Sequence, residues 1–192
     1  MIITDDDVQG IQDLKRFLGQ HFEMKDLGPL SYVLGLEVSS SSDGYCLTQA
    51  MYTSDLISRD GITDSKIVDT HIEYNNLLNT HDGEPLPIAT LYRQLFGSFI
   101  YLIITRPDIS YVVHIVSQFM ATPRFVHYAT ILRILRYLKN TLFHGLHFSS
   151  QSSLTLQAYS DANWVRDPTD YHFTTGYCFL LGDSLISCRS KK

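Results

Sequence analysis

Three apolar runs follow one another between Thr90 and Asn140, and the breaks between them require helices packed side by side. Residues 92–104 are apolar almost throughout, which predicts a buried helix. Arg106-Pro107-Asp108 ends that run, because proline cannot continue a helix but suits the first turn of the next. Residues 109–120 form the second run, stopped by Thr122-Pro123, and residues 127–140 form the third. On the third, Ile131, Leu132, Ile134, Leu135 and Leu138 point inward. Arg133, Arg136 and Lys139, three apart, cover one face of roughly 120°.

Strand signals lie on both sides of this helical block. Residues 1–4 read as the end of a strand. Asp7 or a neighbour caps a helix over 8–22, where Val8, Ile11, Leu14, Phe17 and Leu18 recur at helical spacing. Residues 31–49 read as one β-hairpin turning at the four serines and Asp43-Gly44, followed by a helix near 50–59 that ends at Gly61. Residues 62–90, with Gly83, Pro85, Pro87 and no periodicity, read as a connector lying on the surface. Beyond Gly145, residues 146–150, 154–160, 174–181 and 184–188 read as strands.

With 44% apolar and 12% aromatic residues in 192, the chain has the means to build a core. No apolar stretch reaches the eighteen residues of a membrane span, and Asp5, Asp6 and Asp7 stand where a secretory signal would be basic. Cys46, Cys178 and Cys188 lack metal-type spacing and read as ordinary buried or half-buried residues of a reducing, intracellular protein. The net charge of −5 conceals a division: residues 1–108 carry −9 and residues 109–192 carry +4. No acid lies between Asp108 and Asp161, so a polyanion would meet the second half first, although a solvated helix face accounts for the same pattern. His144 and His147 are three apart with no third ligand nearby, and read as a turn and strand-edge pair. Neither a Gly-x-Ser-x-Gly elbow nor a phosphate-cradling glycine loop is present.

Short motifs run almost the length of the chain in a fixed order: Met24-Lys25-Asp26-Leu27-Gly28, Tyr32-Val33-Leu34-Gly35, Leu47-Thr48-Gln49 with Tyr52, and Tyr92-Arg93 with Gly97-Ser98. They continue with Thr105-Arg106-Pro107-Asp108-Ile109-Ser110-Tyr111 and Arg133-Ile134-Leu135-Arg136-Tyr137-Leu138-Lys139. Tyr159-Ser160-Asp161-Ala162, Thr174-Thr175-Gly176-Tyr177 and Ser190-Lys191-Lys192 complete the series. It resembles the polymerase-to-ribonuclease H region of copia-type LTR retrotransposon Pol polyproteins, plant elements in particular. The resemblance implies an α+β fold in four segments: a partial reverse-transcriptase palm (1–60), a connector (61–89), a helical thumb or connection (90–145) and a truncated ribonuclease H-like β-sheet (146–192).

The same resemblance assigns candidate sites. Asp161 matches the first metal-ligating Asp of a retroelement ribonuclease H, on a strand that also carries Tyr159. Leu34 and Gly35 fall in a hairpin like the primer grip, which equally reads as an amphipathic hairpin packed on the palm. Arg133, Arg136 and Lys139 match the thumb or connection, where phosphate contact is expected in a complete enzyme. The family's Tyr-x-Asp-Asp turn is absent from the sequence, and Asp5, Asp6 and Asp7 do not replace it. The further ribonuclease H carboxylates are also absent, since Asp167, Asp170 and Asp183 fall in turns. The family usually has Asp where Asn163 stands, Arg-Arg-Ser where Tyr171-His172-Phe173 stands, and Trp where Cys188 stands.

The expectation is therefore a catalytically inactive fragment in which Asp161 is a vestigial ligand. No cofactor is expected for this chain, although the complete family enzyme uses Mg²⁺. An RNA–DNA hybrid or DNA is expected as partner only if the complete polyprotein is made, and no membrane is expected. Two alternatives stand: part of a longer active RNA-directed DNA polymerase/ribonuclease H polyprotein, or a weak non-catalytic nucleic-acid-binding remnant.

Overall fold

In the computed structural model, residues 3, 5–59, 61, 66–73, 78–163 and 174–191 are described. The chain is mixed α+β: helices α1 (Val8–His21), α2 (Ala50–Arg59), α3 (Ala89–Leu102), α4 (Ser110–Ser117) and α5 (Phe125–Asn140), with a 3₁₀ turn at Pro107–Ile109. Its strands are β1 (Tyr32–Val33), β2 (Leu36–Ser41), β3 (Gly44–Thr48), β4 (Leu146–Ser149), β5 (Leu156–Asn163), β6 (Thr174–Leu181) and β7 (Ser184–Lys191). They form two antiparallel sheets, ordered β1-β2-β3-β4 and β5-β6-β7.

The core is helical, as the apolar runs require. Tyr92, Leu95, Phe99 and Leu102 of α3 meet Val112, Val113 and Val116 of α4 and Ile131, Ile134, Leu135 and Leu138 of α5, all buried. Each such side chain gains about 1.5–3 kcal/mol on leaving water. Leu56 and Ile57 bring α2 into the same cluster. The Tyr92 hydroxyl donates to the Val116 carbonyl at 2.7 Å, and burial pushes the phenol's pKa up. Leu132, expected inside, is only half-buried at the edge of the cluster.

At α1 the expected cap is present: the Asp7 carboxylate accepts from the Gly10 amide at 3.0 Å. No residue of α1 is buried, so its apolar stripe is uncovered. Met1, Ile2 and Thr4, read as a strand end, lie outside the described residues.

Three expectations need correction. Residues 31–49 form three strands, because Leu34 and Gly35 both take positive φ (49° and 77°) and turn the chain between β1 and β2. A two-residue turn with both residues left-handed matches the twist of the flanking strands. The connector is anchored as well as exposed: Ile72, Leu78 and Leu86 pack on the core, and the Leu86 amide donates to Pro123 O at 2.9 Å. Residues 146–192, expected as one open sheet, are divided, because β4 pairs with β3. Gly44 allows this pairing, for a Cβ there would strike the Phe148 carbonyl oxygen.

The second sheet meets the helices through β7, which packs against α4 and the 3₁₀ turn. Strand β5 lies at the opposite edge, and its residues 156–161 are all exposed. A free edge without cover opens readily. Amides of β5 are therefore expected to exchange fastest among the long strands. Protection equal to that of α5, measured by hydrogen exchange, would contradict this.

Candidate functional site

Asp161 sits on β5 opposite Gly176 of β6, which in turn faces Ser190 of β7. Directly opposed residues share a face of the sheet, so one row runs Asp161, Gly176, Ser190. That row looks toward the start of α4, where Ser110 and Tyr111 complete a small cavity of about 150 Å³ with Cys188 and Arg189. The Ser190 hydroxyl is buried without a hydrogen-bond partner. Asp161 is the sole carboxylate among the described residues that line this cavity. Among the described residues, no group of three His, Cys, Asp or Glu side chains is placed to hold a metal ion. Asn163 lies on β5 but its side chain is not described, and 164–173, with Asp167, Asp170 and Tyr171-His172-Phe173, lie outside the described residues.

Motif reading reaches Ser190 but does not place it, or Arg189, beside Asp161. The signal for them is the register counted back from the Gly182-Asp183 turn, once its irregularity is known. A wider groove of about 510 Å³ adjoins this cavity and lies between α3, α4 and β7, with Phe96, Ile100, Val113 and Ile186 on its walls.

Leu34 and Gly35 occupy the tip of the β1–β2 turn. The Leu34 side chain is 84% exposed, while its carbonyl accepts from the Tyr101 hydroxyl of α3. That bond ties the hairpin tip to the helical core and holds Leu34 in a conformation uncommon for a branched side chain.

The three expected phosphate ligands do not form an open basic face. Arg133 is turned onto the connector: it donates to Thr70 O at 3.2 Å and Thr70 Oγ1 at 2.9 Å, and pairs with Glu73 at 2.8 Å. About two turns of helix further on, Asn140 donates to Asp69 at 3.1 Å. Arg136 and Lys139 are half-buried, and Lys139 too is engaged.

The Thr105–Tyr111 motif knits the helices together. The Arg106 side chain is 4% exposed and grips Asp108 through two bonds, of 3.0 and 2.7 Å. It also donates to the Thr141 carbonyl at 2.9 Å and hydroxyl at 2.7 Å, at the end of α5. Tyr137 donates to Asp108 at 2.8 Å, and its ring lies beneath the guanidinium. Burial raises the Asp108 carboxyl's pKa, but the bonds and charge of Arg106 outweigh it and hold the group below the usual carboxylate range. Thr105 donates to the Gln49 side chain at 2.7 Å, joining the motif at the end of β3 to the start of α4.

His144 is exposed, and His147 on β4 lies 3.5 Å from Asp43. No described helix is long and apolar enough to cross a membrane. The reading of all three cysteines as ordinary residues needs correction: the register of β6 and β7 sets Cys178 opposite Cys188 and they are joined as a disulfide, while Cys46 is free.

A family model described as reverse transcriptase (RNA-dependent DNA polymerase) matches residues 1–74. Over its full 192 residues the chain is 40% identical to the retrovirus-related Pol polyprotein from transposon RE2 of Arabidopsis thaliana, and it covers 13% of that protein. It is 31% identical to the retrovirus-related Pol polyprotein from transposon TNT 1-94 of Nicotiana tabacum, all of this chain against 15% of that one. An uncharacterized mitochondrial protein of Arabidopsis thaliana is 36% identical over 177 residues, 91% of this chain and 72% of that one. No solved structure matches the chain.

Proposed function

This chain belongs to the Pol polyprotein family of copia-type retrotransposons, and we propose that it forms the junction between the polymerase and ribonuclease H parts of such a polyprotein and is catalytically inactive as it stands. In this assignment 1–60 is palm, 61–89 connector, 90–145 thumb or connection, and 146–192 the beginning of ribonuclease H. The described surroundings of Asp161 carry the proposal: among the described residues its cavity holds one carboxylate, with serines and an arginine.

Magnesium keeps most of its water and needs several oxygen ligands in octahedral array, and a metal pair needs convergent carboxylates. Asp161 with Ser110, Ser190 and Arg189 does not fit that requirement, so no catalytic step is assigned to it. The basic residues of α5 favour the same conclusion, since Arg133 is held by Thr70 and Glu73 and would have to leave them to bind a phosphate. An RNA–DNA hybrid is accordingly not expected to bind usefully at physiological salt.

Primer extension and hybrid-strand cleavage by this chain, with Mg²⁺ or Mn²⁺, are expected at background. Activity that disappears in Asp161→Asn would overturn the proposal. A second reading, part of a longer active polyprotein, is favoured by the small share of the RE2 protein that the chain covers, 13%. Sequencing the flanking reading frame separates the two: an open frame supplying Tyr-x-Asp-Asp before this segment and further Glu and Asp residues after it favours the enzyme.

A further inference from the structure

The Gly182-Asp183 turn joins β6 to β7 with Leu181 opposite Ser184 and Leu180 opposite Leu185. Continued unbroken, that register would set Ser187 against Cys178. The pairing instead shifts beyond Leu180, where a bulge takes up Ile186, and Cys188 comes directly opposite Cys178 with 4.1 Å between their Cα atoms. Directly opposed side chains on antiparallel strands project from one face, so this register brings the two sulfurs together. Both residues are half-buried, and Cys188 lines the open groove of about 510 Å³ between α3, α4 and β7. The groove therefore gives a dissolved reagent a route to Cys188. Arg189 lines the same groove, and Asp161 lines the adjoining cavity together with Cys188, so charges of both signs flank the pair. Cys46, the remaining cysteine, lies on β3 of the other sheet.

We propose that Cys178 and Cys188 are a reversible oxidation site, a dithiol that exchanges with low-molecular-weight disulfides of the glutathione type, and whose oxidation fastens β7 to β6. The Cys188 thiolate attacks one sulfur of glutathione disulfide, forms a mixed disulfide and expels one glutathione thiolate. The Cys178 thiolate then attacks the Cys188 sulfur and expels the second. The protein loses two electrons and two thiol protons, and two molecules of reduced glutathione carry them away. The structural consequence follows from position. Strand β7 is where this sheet meets α4 and the 3₁₀ turn, and the same bulged register sets Ser190 in line with Gly176 and Asp161. Oxidation locks that register, and reduction leaves it to the hydrogen bonds of a sheet whose other edge, β5, is uncovered.

The test uses the 192-residue chain, reduced, desalted, incubated with glutathione disulfide and then trapped with a thiol-alkylating reagent. Peptide mass spectrometry is expected to find Cys178 linked to Cys188, Cys46 alkylated, and the link lost on adding reduced glutathione. Closing so short a loop should slow amide exchange across residues 174–191 on the order of a hundredfold, with α3 and α5 unchanged. Alkylation of both thiols after glutathione disulfide, a stable mixed disulfide, or a link to Cys46 would each overturn the assignment. So would equal exchange across 174–191 in the oxidised and reduced chains.

Discussion

Replacement of Arg106 by alanine is expected to lower the unfolding free energy by about 1.5–3 kcal/mol, from the loss of its charged hydrogen bonds, because the Asp108 side chain is 36% exposed and water takes up its charge. The guanidinium is almost fully enclosed, and it satisfies Asp108, the Thr141 carbonyl and the Thr141 hydroxyl together. Without it the Asp108 carboxylate keeps the Tyr137 hydroxyl and its own backbone amide, and Thr141 at the end of α5 loses its bonds to Arg106. Arg106→Lys should recover little, since an ammonium cannot hold both carboxylate oxygens while reaching the carbonyl beyond. Tyr137→Phe should cost about 1 kcal/mol, the price of one bond to a charged acceptor. Urea unfolding of the three variants checks this order. An Arg106→Ala midpoint indistinguishable from that of the parent chain would show that the network stabilises nothing. The pair also acts in acid: Asp108's folded pKa lies below its ordinary value, so its contribution is present above that value and is lost as pH falls through the folded one.

What the sequence showed of this fold depended on whether a signal was local. The helical runs read correctly because their apolar periodicity and their prolines act within one element, and Asp7 capped α1 because a cap needs only three residues. The extra turn in 31–49 was hidden because Leu34 and Gly35 sit in a continuous apolar pattern. The conformation of Leu34 is held by Tyr101, sixty-seven positions away in the chain. The connector lacked periodicity because Ile72, Leu78 and Leu86 reach the core singly between polar stretches. On α5, spacing revealed a basic face but not that Thr70 and Glu73 lie over Arg133. Asp161 was singled out by its motif alone, whereas which residues stand beside it depends on a register. A bulge at Ile186 changes that register by one residue, and the same residue decides that Cys178 faces Cys188.

Acidification below neutrality is expected to destabilise the helical core through His127. Its ring is fully buried, stacked on Phe119 with 3.7 Å between centroids. The Arg124 amide donates to Nδ1 at 3.1 Å, which makes that nitrogen an acceptor, so the proton is on Nε2 and is donated to the Asn79 carbonyl at 3.0 Å. A second proton at Nδ1 would break the first bond and place a charge in the core. Burial accordingly lowers the pKa of His127 below the ordinary 6.5, and the half-buried His71 shifts the same way for the same reason. Between the folded and unfolded values the unfolded chain binds more protons, so stability rises with pH in that window. The contribution is complete above about pH 6.5 and is lost as pH falls toward the folded value. His127→Ala should cost about 3 kcal/mol near neutrality, from the lost packing and two stranded backbone groups. His127→Gln should flatten the pH dependence even where it also costs stability, because glutamine does not titrate. Thermal unfolding between pH 7.5 and 5 measures both effects. A midpoint that falls as steeply in His127→Gln as in the parent chain would assign the acid sensitivity to other groups, His71 first among them.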